Sequence, residues 1–111
     1  MRKVLFDENM PRKLRLDLPD FSIRTAQEQG WSSFKNGQLL ARVVQEFDVL
    51  VTIDQRMRYQ QNLQKLAVGI VVIDVRDTRF ESIRAHLEEL REAIARVRPG
   101  EVILVPRTKT A

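Results

Sequence analysis

The chain has 111 residues, enough for one domain, and its 43% apolar content is enough to fill one core. The absence of cysteine excludes a disulfide framework, a thiolate metal site and a thiol nucleophile, while a net charge of +4 is compatible with a polyanionic partner without requiring one. No apolar run approaches the roughly 20 residues of a membrane span, and the run before Asp7 is too short for a signal-peptide core, so a cytoplasmic protein with no membrane partner is expected.

Lys3-Val4-Leu5-Phe6 is a short apolar run without clean alternation that stops at Asp7-Glu8-Asn9, which predicts a buried central strand. Pro11 suits the first turn of a helix over 11–17, where its missing N–H is not needed. After a turn at Pro19-Asp20, the alternation in Phe21-Ser22-Ile23-Arg24-Thr25 predicts a half-buried strand. Residues 26–36 read as a polar connection around Gly30-Trp31. Asn36 is then the N-cap of a helix over 37–46, with Leu39, Leu40, Val43, Val44 and Phe47 as its apolar stripe. The β-branched run from Phe47 to Ile53 predicts the strongest strand, ending at Asp54. A polar stretch over 55–64 leads to Gly69 and a second strong strand, Ile70 to Ile73, ending at Asp74. Phe80, Ile83, Leu87, Leu90, Ile94 and Val97 fall three and four apart, which predicts one long helix over 78–96, stopped by Pro99-Gly100. Val102-Ile103-Leu104 forms a last strand at a sheet edge before Pro106. The domain is thus 1–106, followed by a short basic tail, 107–111.

Strands alternating with helices imply a three-layer α/β/α fold with a mostly parallel sheet of about five strands and right-handed crossovers. Ligands in such sheets bind outside the C-terminal strand ends, where strand order reverses. Three strands end in acids there: Asp7 with Glu8, Asp54, and Asp74. Oxygen ligands with no Cys and a single His favour Mg²⁺ or Mn²⁺ over zinc, and such an ion supports phosphodiester hydrolysis. Asp also terminates strands simply because it caps helices and makes turns, and that reading stands beside the metal one.

The block Arg56, Arg58, Tyr59, Gln60, Gln61 and Asn62 offers forks for phosphate, a ring for base stacking and amides for bridging. It equally fits a solvated helix resting on Tyr59, Leu63 and Leu66. Trp31, near Phe34 and Lys35, either caps the small core or enters an interface. His86 falls in the polar part of the last helix and reads as a surface residue.

Leu5-Phe6-Asp7-Glu8-Asn9-Met10-Pro11, Gly30-Trp31 with Asn36-Gly37-Gln38-Leu39-Leu40, and Phe47-Asp48-Val49-Leu50-Val51-Thr52-Ile53-Asp54 resemble the DUF5615 group of PIN-like proteins. Tyr59-Gln60-Gln61-Asn62-Leu63 is similar to one branch of that group, and the resemblance spans roughly residues 3–75. It implies a PIN-like α/β/α fold and a Mg²⁺- or Mn²⁺-dependent nuclease acting on RNA, including the case of a toxin component held by an antitoxin protein. Asp7 and Asp54 match the catalytic metal-binding acids of the superfamily, with Glu8 and Asp74 completing the metal set. Asn9, Asn36, Thr52, Arg58, Tyr59, Gln60 and Asn62 are then supporting or substrate-binding residues. One departure is the uncharged Asn36-Gly37, where many PIN-related chains place an acid; the nearest acid in that helix is Glu46. The alternatives are a catalytically inactive nucleic-acid or protein-binding module and an unrelated hydrolase using the same edge. A homodimer is compatible with so small a core.

Overall fold

Four short apolar runs and one alternating segment pair into one sheet: β1 (Lys3–Phe6), β2 (Ser22–Thr25, the alternating one), β3 (Val49–Thr52), β4 (Gly69–Ile73) and β5 (Val102–Val105). In the computed structural model, which describes residues 1–106, their order is β2-β1-β3-β4-β5 and all four pairings are parallel. The tail expected over 107–111 lies outside the described residues. The helices are α1 (Ala26–Gln29), α2 (Asn36–Glu46), α3 (Phe80–Arg84) and α4 (Leu87–Arg96). No helix among the described residues is long and apolar enough to cross a membrane.

The side-chain period of two divides each central strand between two cores. Val4, Phe6, Val49, Val51, Val71 and Ile73 face one core with Leu14, Ile83, Leu90 and Ile94. Leu5, Leu50, Ile70 and Val72 face the other with Leu39, Leu40, Val43 and Met57. Both faces of β3 and β4 are fully covered, which is why these strands carry continuous apolar runs. Trp31 packs inside the second core, edge-on to Phe47 with ring centroids 5.9 Å apart, so it is a core residue and no surface contact.

Several elements depart from the expected ones. The segment expected as a helix over 11–17 is a 3-10 turn, Arg12–Asp17, because Pro11 is extended (ψ 117°) and only Leu14 is buried within it. Two more 3-10 turns, Gln55–Tyr59 and Leu63–Lys65, occupy the polar stretch. α1 sits in what reads as a connection, and its start is fixed by reciprocal bonds: Glu28 N–H donates to Thr25 Oγ1 and Thr25 N–H to Glu28 Oε1. Asn36 is the first residue of α2, with Lys35 before it as the cap. The long helix over 78–96 is broken at Ala85–His86 into α3 and α4. Its strict three-and-four spacing drifts by about 20° per heptad around a straight helix. The break lets Phe80, Ile83, Leu87, Leu90, Ile94 and Val97 all reach one core. His86 is half-buried at that break, away from the cavity described below.

The crossovers are not all of one hand. From β3 to β4 and from β4 to β5 the chain steps across the sheet in the same direction. The first connection packs Met57 and Leu63 on the Leu50 face, whereas α3 and α4 cover the Val49 face. Two steps in one direction over opposite faces have opposite hands, so one breaks the right-handed rule. The broad stripe of α3 and α4 covers the face that the 3-10 turn Arg12–Asp17 leaves largely bare.

Candidate active site

The chain runs from β1 outward to β2 and then returns past β1 to β3, so strand order reverses between β1 and β3. Phe6 lies opposite Val51 there. The next residues, Asp7 and Thr52, therefore stand side by side at the C-terminal edge, on the face that Leu5 and Leu50 define. Asp54 repeats the parity of Thr52 one step further on.

Asp7 is 8% exposed and Thr52 fully buried. Thr52 Oγ1 donates to Asp7 Oδ2 at 2.7 Å and accepts from the Asp54 N–H at 3.0 Å. One buried hydroxyl thus ties the carboxylate at the end of β1 to the backbone at the end of β3. The Glu8 N–H donates to Asp7 Oδ1 at 2.8 Å. Asp54 closes a turn by accepting from the Arg56 N–H at 2.9 Å, and the Arg56 guanidinium returns to both its oxygens at 3.0 and 2.9 Å. Asn36 Nδ2 donates to Asp54 Oδ2 at 3.3 Å. The Arg56 guanidinium holds the Asp54 carboxyl below its ordinary range, with the Arg56 N–H and Asn36 adding to the effect against the opposing cost of burial.

These groups open onto a polar cavity of about 620 Å³ lined by Asp7, Glu8, Asn9, Phe34, Lys35, Asn36, Gly37, Asp54, Arg56 and Gln60. The positive end of the 11-residue α2 meets the cavity at Asn36 and Gly37. Three acids and two cations share its wall, a mixture suited to an anionic ligand held beside a cation.

The other predicted residues divide. Asp74 follows β4, its backbone N–H donating to Val105 O at 2.7 Å, and it does not line the cavity. Arg58 lies over the Tyr59 ring, 5.0 Å from its centroid, and donates to the Tyr59 hydroxyl; neither they nor Asn62 line the cavity. Arg56 is the guanidinium that lines the cavity, and Lys35 joins it. The Asp-x-Arg spacing of an Asx turn was the sequence signal for Arg56.

Among the described residues no three of His, Cys, Asp and Glu are grouped so as to hold a metal ion. Asp7, Asp54, Glu8 and Asp74 therefore do not assemble as one cage. What converges is Asp7 and Asp54, with the Asn36 amide beside them. Mg²⁺ is commonly bound by one or two carboxylates, completing its shell with water and substrate phosphate. The donor set fits an ion shared with a substrate and does not fit a closed protein cage.

An all-parallel sheet between two helical layers, with an acid-lined cavity at its strand-order reversal, defines an open α/β domain consistent with PIN-like architecture. No family model, curated protein or solved structure matches the chain.

Proposed function

We propose that the protein is a divalent-metal-dependent nuclease of the DUF5615 PIN-like kind, hydrolysing phosphodiester bonds in RNA. The observation that carries this reading is the convergence of Asp7 and Asp54, from strands 45 residues apart in sequence at Asp7 and Thr52, on one cavity beside the α2 N-terminus. Asp7 and Asp54 would hold Mg²⁺ or Mn²⁺, whose chemistry is to polarise a phosphoryl oxygen and to lower the pKa of a water. Thr52 fixes the Asp7 carboxylate in one orientation. Lys35, Arg56 and the α2 N-terminus supply positive charge for the scissile phosphate and its neighbour. Glu8, exposed at the rim, is the remaining acid of the cavity wall and would take a proton from the attacking water.

The test is cleavage of single-stranded RNA and DNA oligonucleotides with Mg²⁺, Mn²⁺ or chelator. Asp7→Asn and Asp54→Asn are each expected to keep the circular-dichroism spectrum. Several kcal/mol of charge stabilisation should be lost, roughly a hundredfold or more in rate. Cleavage undiminished in both folded variants would exclude this assignment.

The Arg56–Asp54 pair and the absence of a three-acid group among the described residues favour a second reading, a PIN-like module that binds nucleic acid or an antitoxin-type protein without turnover. RNA binding that is unaffected by chelator and unaccompanied by cleavage would select it.

A further inference from the structure

The two edges of the sheet differ in kind. β2 presents exposed Ser22 and Arg24, and a charged side chain on an edge discourages strand addition. β5 reads Val-Ile-Leu-Val, carries no charge, and leaves Val102, Ile103 and Leu104 half-exposed. Its backbone polarity is fixed by its pairing with β4: the Ile70 N–H donates to Glu101 O at 2.9 Å and the Asp74 N–H to Val105 O at 2.7 Å. Glu101 and Val105 therefore face inward, and by the alternation of a strand Val102 and Leu104 turn their N–H and C=O groups outward.

We propose that β5 is a homodimer interface, pairing antiparallel with β5 of a second copy about a two-fold axis at Ile103. That register sets Val102 opposite Leu104 of the partner copy and the reverse, each pair exchanging both of its backbone hydrogen bonds. A register centred on Leu104 would instead oppose Val102 to Pro106, which has no N–H to give. The two five-stranded sheets become one continuous ten-stranded sheet.

Charge supports a second copy over another occupant. A hollow of about 190 Å³ beside the edge is lined by Glu89, Glu92, Ala93, Arg96 and Ile103. The two-fold axis stands perpendicular to the sheet, so it places both copies of α4 on the same face and antiparallel. Acidic Glu89 and Glu92 precede basic Arg96 along the helix; Arg96 reaches Glu92 of its own helix at 3.6 Å, but both side chains are largely exposed, so each helix still offers its Arg end to the acidic end of the other. The surface is self-complementary, as an isologous interface must be.

The full chain contains no cysteine, which makes a direct test available. Sedimentation should give a concentration-dependent species of twice the 13.0 kDa chain mass. Ile103→Cys places one thiol on the axis, facing its own copy, and under mild oxidation should form a covalent dimer at least about tenfold faster than Val102→Cys or the β2-edge control Ser22→Cys. Arg96→Glu should weaken dimerisation, and Glu92→Arg with Arg96→Glu should restore it. A chain that sediments as a monomer at every concentration overturns the proposal. So does cross-linking of Ile103→Cys no faster than of Ser22→Cys. RNA cleavage is not read in either arm, so the outcome is independent of the nuclease assignment.

Discussion

Thr52 is the residue through which the two acids communicate. Its hydroxyl is fully buried, spends its one proton on Asp7 and accepts from the Asp54 backbone, so it has no second donor and no access to water. Thr52→Val keeps the β-branched shape and removes both bonds. The expected result is a stability loss of about 1–3 kcal/mol from the orphaned partners, read by urea denaturation. Any metal-dependent activity should fall by roughly 10–100-fold, as for other groups that orient a ligand. Unchanged Mn²⁺ affinity in the variant would show that Asp7 needs no such orientation. Arg56 has the opposite character: its side chain is 83% exposed, and in this state it occupies the Asp54 oxygens that an ion would need. Release of Arg56 from Asp54 toward a phosphate is the local rearrangement that the nuclease reading requires.

Among the connecting elements, the turn after α4 is the most constrained. Gly100 has φ +83°, and a Cβ there would lie 2.5 Å from the backbone oxygen of Gln64. Gly100 also donates its N–H to Val68 O at 3.0 Å, which ties the entry of β5 to the entry of β4. Gly100→Ala meets left-handed strain of about 1–2 kcal/mol and a backbone clash besides. Its denaturation midpoint should fall by more than that strain alone predicts, whereas Gly37→Ala, with open space around the new methyl, should be nearly neutral. A Gly100→Ala chain as stable as the parent would mean that this turn can shift away from Gln64.

The behaviour of the molecule as a whole toward acid follows from its paired carboxylates. Arg15 donates to Glu28, and with the Thr25 N–H it lowers the Glu28 pKa from 4.5 to about 2. Asp54 is lowered by Arg56, and Asp77 by Arg79. A carboxyl whose pKa is depressed on folding contributes stability above its unfolded value, and that contribution is lost as pH falls through the folded one. The thermal midpoint is therefore expected to decline from about pH 4.5 toward pH 2, and Glu28→Gln should flatten part of that decline. Because Arg15 and Glu28 are 29% and 26% exposed, the effect should shrink in high salt. A midpoint that stays flat over this range would mean that these ion pairs do not contribute to folding.

The central strands and the acids that follow them were readable from the chain alone, because a strand buried on both faces is mostly apolar and a carboxylate stands beyond its end; the run expected from Phe47 to Ile53 pairs only over Val49–Thr52. Lys3–Phe6, Val49–Thr52 and Gly69–Ile73 carry that pattern locally. The candidate site was readable as far as Asp7 and Asp54, since a parallel sheet gathers its strand ends on one edge. Folding in three dimensions was needed to separate Asp74 from them, to bring Arg56 in place of Arg58, and to turn Trp31 inward. It also broke the last helix and reversed the hand of one crossover. Local pattern says that a side chain must be covered or paired; the neighbour that covers or pairs it comes from a distant segment, and no spacing along the chain encodes that segment's position in space.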